Sequence, residues 1–295
     1  MASSETQNSQ LRVRYFRPAE TLQPYFLGFF LLETFVPEGM MISDLIMPTW
    51  GLVSWRDRKH VEMRLRDGTL YNAGMTGAVG PFDHAVPLDV GKIRQWTAIL
   101  LPAGWARFVA APARDYANRA VEIRDDEAFR AFAPITDRLF ADNADCEAEI
   151  ATIQACLQNH LDNSSDAGES RIRAITGALL DANVAKVSDL AMRARVSRRT
   201  LGRVCDEAFG LPPKMLLRRQ RFIRSIAKHT LQDSKVWTDA IDDIYHDQPQ
   251  FVREFRDFTG MSPSQFAKIN RPMVNAVLLE GFRIWQEHEE PPQQH

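Results

Sequence analysis

The stretch from Val187 to Ile269 repeats itself at an offset of 50 residues. Gly210-Leu211-Pro212-Pro213 returns as Gly260-Met261-Ser262-Pro263, aligning Gly210 with Gly260 and Pro213 with Pro263. A fixed internal period marks a repeated supersecondary unit, and it limits the folds open to the chain more than any composition does. Each copy places an apolar stripe of helical spacing before the glycine. Leu201, Val204, Cys205, Ala208 and Phe209 share one face of Arg198 to Phe209, and Phe251, Val252, Phe255 and Phe258 share one face of Gln248 to Phe258. Glycine at the end can take the left-handed conformation, and proline cannot continue the helix. A shorter apolar-faced segment precedes each stripe. In the first copy it opens with Val187-Ser188-Asp189-Leu190-Ala191; in the second it carries Val236, Trp237, Ala240, Ile241 and Ile244. Ser188 and Ser197 are expected helix N-caps, and Pro249 suits a first helical turn. The pattern predicts two helix-turn-helix units joined by a long helix over Arg218 to Leu231.

The outer faces of the two longer helices are polar. Arg198, Arg199, Thr200 and Arg203 lie largely off the apolar stripe of the first, and Gln248, Gln250 and Arg253 off that of the second. Taken singly, such a face is more often a solvated surface than a binding face. Two copies in tandem shift the balance, and so does charge. Arg171 to Arg271 holds 19 Lys and Arg against 11 Asp and Glu, a balance of +8. The remaining residues hold 17 against 27, a balance of −10 within a net −2. A basic segment beside an acidic remainder suits a polyanion-binding domain attached to one that does not bind polyanions. One helix fits the DNA major groove, where arginine pairs with guanine and glutamine with adenine. Arg198, Arg199, Arg203, Gln248, Gln250 and Arg253 are therefore the expected base readers, with Thr200 beside them. Lys214, Arg218 and Arg219 are the expected phosphate contacts.

The same segment resembles the DNA-binding domain of AraC/XylS-type transcription regulators. In the first half the matching residues are Leu190-Ala191, Ser197, Leu201, Arg203, Gly210, Pro213 and Arg221. In the second they are Asp247-Gln248, Phe251, Phe255, Gly260, Ser262-Pro263 and Phe266, and Phe251 to Phe266 is the most specific part. The resemblance covers about a third of the chain. It implies sequence-specific regulation of transcription and recognition helices in successive segments of the major groove. It also implies that the position of Arg203 often helps to hold the fold. The chain departs from the family in three places. Ile244 and Tyr245 follow Ala240 where a Gly-Phe pair is usual, Cys205 stands where phenylalanine is usual, and Gly202 weakens the middle of the first recognition helix.

From Leu11 to about Val121 short apolar runs alternate with Gly, Pro and Asp turns. Val61-Glu62-Met63-Arg64-Leu65 alternates cleanly, with a turn at Arg66 to Thr69, and a helix over Thr21 to Gly28 is expected before the strands. The pattern predicts an antiparallel barrel or sandwich. Pro48, Gly51-Leu52-Val53, Gly80-Pro81 and Leu100-Leu101-Pro102-Ala103-Gly104 are similar to the cupin-like N-terminal sensor domain of such regulators, a looser likeness. His60 and His84 form no His-x-His pair, so no metal is expected. Trp50, Trp55, Trp96 and Trp105 either line a pocket for a small, largely apolar effector or fill the core. Over Asp125 to Leu161 two helical stripes, Phe129 to Phe140 and Ile150 to His160, either pack on their own barrel or pair two subunits, as the resemblance implies.

The expected fold class is α+β: a cupin-like β-barrel with flanking helices over residues 11–161, a linker at 162–170, and an all-α domain with two helix-turn-helix units at 171–285. Cys146, Cys156 and Cys205 have no metal-ligand spacing. Neither a glycine-rich phosphate loop nor a nucleophile elbow stands in the chain, so no enzyme and no cofactor is expected. A cupin-type enzyme and an interaction module without DNA binding are the competing readings. Met1 to Gln10 lacks the apolar core of a signal peptide, and no run reaches the length of a membrane span, so a cytoplasmic protein is expected. The expected partners are double-stranded DNA, a small-molecule effector and a second copy of the chain as a homodimer, with RNA polymerase a further candidate.

Overall fold

Alternating side chains build the N-terminal half. The computed structural model describes residues 4–7, 10–140, 145–161, 168–231 and 248–277. Eleven strands run through the first 121 residues: β1 Ser4–Gln7, β2 Leu11–Phe16, β3 Phe26–Thr34, β4 Ile42–Ile46, β5 Leu52–Arg56, β6 Val61–Arg64, β7 Leu70–Asn72, β8 Thr76–Val79, β9 Val86–Val90, β10 Arg94–Leu100 and β11 Ala120–Val121. They form a seven-stranded sheet of order β1-β2-β3-β10-β5-β8-β11 and a four-stranded sheet of order β4-β9-β6-β7. Every pairing is antiparallel. β6 follows the alternation in its sequence, with Val61 and Met63 buried and Glu62 and Arg64 exposed.

The register of β5 on β10 sets Trp55 opposite Trp96, Ser54 opposite Thr97 and Arg56 opposite Gln95. Because side chains alternate across a sheet, the two tryptophans share one face and the four polar residues the other. The tryptophan face is covered by α1 Pro102–Phe108, α2 Ala133–Thr136 and α3 Cys146–Leu161, through a core that includes Phe108, Phe132, Ile153 and Leu157. Buried Glu149 on α3 accepts bonds from Trp96 Nε1 at 2.8 Å and Arg94 Nη1 at 2.6 Å. The two helical stripes of the sequence thus pack on their own domain. The helix expected over Thr21 to Gly28 is instead a 3-10 turn at Glu20–Leu22 followed by strand β3. Phe26 to Phe30, one of the short apolar runs of the sequence, is the start of that strand; it pairs with β2 and β10 and is buried on both faces, so it lacks the alternation that would have set its start apart from a helix.

The C-terminal half is helical: α4 Glu169–Leu180, α5 Val187–Arg193, α6 Arg198–Val204, α7 Pro213–Leu231, α8 Gln248–Thr259 and α9 Pro263–Phe266, with residues 272–277 also helical. α6 runs into a single π turn at Cys205–Phe209, which ends on Gly210 at φ 69°. Ser197 caps α6, as expected. Ser188 lies inside α5 and caps nothing, because that helix begins at Val187 with Lys186 before it. The expected helix over residues 235–244, and with it Ile244 and Tyr245, lies outside the described residues.

The helices pack directly on the sheets. Tyr25 Oη donates to Glu169 Oε2 at 3.2 Å, and Ala85 N donates to Phe258 O at 2.6 Å. Met273 and Ala276 join the apolar core between the two sheets. Asp44 of β4 anchors this last helix. It is 6% exposed, and its carboxylate accepts from Leu45 N at 2.7 Å and from Met273 N at 2.8 Å.

Burial raises the Asp44 pKa to about 6, against backbone donors and Arg271 that pull it down. A carboxyl with a folded pKa above its unfolded value takes up a proton on folding between the two. Its contribution therefore grows as pH falls through 6 and levels off below the ordinary carboxylate range. Comparing chemical denaturation of wild type and Asp44→Asn at pH 7 and pH 4, the difference should move towards wild type by about 2 kcal/mol on acidification. An unchanged difference would remove Asp44 as the titrating group.

Candidate DNA-binding face and interdomain cavity

The first recognition helix is positioned by its cap. Ser197 Oγ accepts from Thr200 N at 3.1 Å and sits 2.9 Å from Thr200 Oγ1. This fixes the first turn of α6, buries Leu201 and Val204, and leaves Arg198 and Arg199 exposed. Arg203 pairs with Glu207 at 2.8 Å one turn on, on the solvent side. In α8 the apolar stripe buries Phe251, Phe255 and Phe258, leaving Gln248 and Arg253 exposed and Gln250 half-buried.

The three expected phosphate contacts have different fates. Lys214 is exposed in the first turn of α7. Arg218 is turned onto α8, where Nε donates to Glu254 Oε1 at 3.0 Å and Nη2 to Asp257 Oδ2 at 2.9 Å. Arg221 meets the same Glu254 oxygen at 3.2 Å, so one buried carboxylate ties the helices together. Arg219 is 1% exposed and faces the sheets. Its Nη1 donates to Thr49 O at 2.9 Å, and its guanidinium lies 3.7 Å from the centroid of the Trp50 ring. Arg219 is thus not placed to meet a phosphate, and the Arg218 guanidinium is held by two carboxylates. Successive residues on a helix stand about 100° apart, so a basic pair cannot share one role. The signal was present in the sequence: Leu216, Arg219, Phe222 and Ile226 follow helical spacing, and Arg219 occupies a core position on that stripe.

Between the sheets and the helical half lies a cavity of about 600 Å³. Strands of both sheets line it, together with α4, α7 and residues 273–277. Of the four tryptophans expected to line a pocket, only Trp50 does. Trp55, Trp96 and Trp105 belong to the opposite face of the large sheet and its helical cover, where their indole N–H groups bond Phe132 O, Glu149 Oε2 and Ala111 O. They fill the core because strand alternation and the turn after β10 aim them there. The cavity wall is mainly apolar, with five arginines in it: Arg17, Arg56, Arg173, Arg219 and Arg224. Its lining contains no Asp, Glu, His or Cys among the described residues.

Burial pushes the Arg219 pKa down to about 9, with Asp83 opposing from a distance. Among the described residues no carboxylate stands within ion-pair distance of it. Burial likewise lowers Arg56 to about 10, against Tyr71 and Glu122. His84 Nδ1 lies 2.7 Å from Asp83 Oδ1, and His60 Nδ1 lies 3.0 Å from Lys92 O. No group of three or more His, Cys, Asp or Glu among the described residues can hold a metal ion. No helix among them is long and apolar enough to cross a membrane.

Residues 190–269 match the family model described as a helix-turn-helix domain. No curated protein matches the chain. Among solved structures, ToxT from Vibrio cholerae is similar at 10% identity and a TM-score of 0.45, over 77% of this chain and 97% of that one. The AraC-like transcriptional activator CuxR is similar at 13% identity and a TM-score of 0.32, over 74% of this chain and 81% of that one.

Two glycines of the first unit separate helix stability from domain docking. Gly202 has helical neighbours and nothing within 4 Å of where a Cβ would stand, so Gly202→Ala should stabilise the fold by about 0.5–1 kcal/mol. Gly210 sits at positive φ, and a Cβ there would stand 2.8 Å from Ala113 O of the N-terminal half. Gly210→Ala should destabilise by about 1–3 kcal/mol, through the backbone conformation and the contact together. Thermal or chemical denaturation of both variants checks the pair, and equal effects would contradict this geometry.

Proposed function

We propose that this chain, a DNA-binding transcription regulator with an AraC-type helix-turn-helix domain at residues 190–269, is controlled by a small amphipathic anion held in the cavity between its two halves. The observation that carries the reading is Arg219. A buried guanidinium without a carboxylate is costly, and this one borders an apolar cavity of ordinary ligand size. An apolar anion repairs that deficit, its charged end meeting Arg219 and its body meeting the sheet walls. ToxT has been solved with an unsaturated fatty acid and with a naphthalenyl butenoic acid; here the ligand class follows from Arg219 and its surroundings. The lining offers binding groups and lacks the His, Cys, Asp or Glu that would serve as nucleophile or base.

Because strands, α4, α7 and residues 273–277 all line the cavity, a bound anion acts on both halves at once. It biases how the helical half sits on the sheets to the extent that its affinity differs between arrangements. On the DNA side, Arg198 and Arg199 of α6 and Gln248, Gln250 and Arg253 of α8 are the proposed base readers, with Lys214 on a phosphate. Arg203 contributes less, since Glu207 competes for its charge.

Two measurements test these assignments. Arg199→Ala should weaken binding to the operator by about 1–3 kcal/mol and binding to scrambled duplex far less; equal losses on both DNAs would remove Arg199 as a reader. With dodecanoate as probe, calorimetry on the full chain should show binding that Arg219→Met weakens at least tenfold, by about 1.4 kcal/mol. A folded Arg219→Met protein that binds dodecanoate like wild type would overturn the effector reading.

A further inference from the structure

The cavity has a second polar end, and we infer that its ligand is an ω-hydroxylated or ω-oxo amphipathic acid rather than a simple one. This rests on the anion reading above and specifies the ligand's other terminus. The inner face of the large sheet changes character along β5 and β10. Leu52 and Ile99, next to Trp50, are apolar; Ser54 and Thr97 follow, and Arg56 and Gln95 come last. Leu52 to Arg56 spans about 13 Å of extended strand, and Trp50 lies in the bend just before it. Arg219, stacked on Trp50, and Arg56 therefore border different stretches of the cavity wall.

The Arg56 end is organised to meet a polar group. Arg56 is 5% exposed, with Nε donating to Gln95 Oε1 at 2.6 Å and Nη1 to Gly74 O at 3.2 Å. Gln95 Nε2 donates in turn to Thr97 Oγ1 at 2.9 Å, which lies 3.5 Å from Ser54 Oγ. Tyr71 belongs to the same wall and interacts electrostatically with Arg56, and its buried hydroxyl has no hydrogen-bond partner among the described residues. A buried phenol without a partner is costly unless something else supplies one. Glu122 stands outside the cavity lining, close to Gly74, and its charge partly offsets Arg56. That offset argues against a second full charge on the ligand. A neutral oxygen fits: it accepts from the Tyr71 hydroxyl and the Arg56 guanidinium, and a hydroxyl also donates to Thr97 or Ser54.

The sign of a hydroxyl's effect makes the test sharp. In an apolar pocket an added hydroxyl weakens binding, because it loses water and gains no partner. Here it should strengthen it. The probes are dodecanoate and hexadecanoate, each with its ω-hydroxy derivative, titrated by calorimetry into the full-length protein. At the length that spans the cavity, the hydroxy acid should bind about five- to tenfold more tightly than the plain acid. Tyr71→Phe and Arg56→Met should each abolish that preference while plain-acid binding persists. Tyr71→Phe removes a single atom, so it remains informative if Arg56→Met does not fold. Plain acids that bind through Arg219, with no gain from the hydroxyl at either length, would overturn this inference and leave the effector reading standing. Failure of all four acids to bind would remove both.

Discussion

The Arg219 guanidinium stacked on Trp50 is the contact on which the arrangement of the two halves depends. Removing a guanidinium from water costs several kcal/mol. The Trp50 ring face and the Thr49 carbonyl return part of that cost. The remainder is an electrostatic demand placed at the wall of an apolar cavity. α7, which carries Arg219, follows the first helix-turn-helix unit and packs on α8 of the second. Anything that meets the charge on Arg219 is therefore felt along the element between the two proposed recognition helices, α6 and α8. Trp50 adds a second link, since its ring also meets Phe209 edge-on at the end of the first recognition helix.

The two repeat units meet the sheet domain at equivalent places. The turn ending the first unit packs on Trp50 and Ala113 through Phe209 and Gly210. The helix end of the second hydrogen-bonds to Ala85 through Phe258 O, two residues before Gly260. Docking by the C-terminal ends of the recognition helices leaves their N-terminal turns, with Arg198, Arg199, Gln248 and Arg253, turned to solvent. One end of each helix meets the sheet domain, and the other carries exposed polar groups of the kind that suit base edges. Under the proposed function, coupling between the two ends needs no long-range path, because each helix touches both.

The inner face of the large sheet shows how strand pairing converts sequence into a chemical gradient. Neither β5 nor β10 alone has a polar end that faces a cavity. Their register brings Ser54 to Thr97 and Arg56 to Gln95, and the same register turns Trp55 and Trp96 the other way. The polar pairs line the cavity and the tryptophans anchor the helical cover, so one alternation separates binding wall from core.

The repeated Gly-x-x-Pro and the helical stripes are local, and the chain by itself determined α5 and α6 of the first helix-turn-helix unit, α8 of the second, the turn at Gly210, the cap at Ser197 and the exposed Arg198 and Arg199. Periodicity and capping need only neighbours within a few residues, so they survive in one dimension. The existence of a sheet-rich N-terminal domain was legible for the same reason, from alternation in stretches such as Val61 to Arg64. The apolar run Phe26 to Phe30 was legible as well, but where β3 begins was not, because burial on both faces erased the alternation that would have separated it from a helix over Thr21 to Gly28. Which aromatics line the cavity was not legible either: Trp55 is turned into the core by its pairing opposite Trp96, whereas Trp50 lies in the bend before β5. The fates of Arg218 and Arg219 depended on what stood opposite each, Glu254 on α8 in one case and the Trp50 ring in the other. Long-range pairing decides the partners of a charge, and tertiary structure alone placed one arginine in a helix clamp and its neighbour in the wall of a largely apolar cavity.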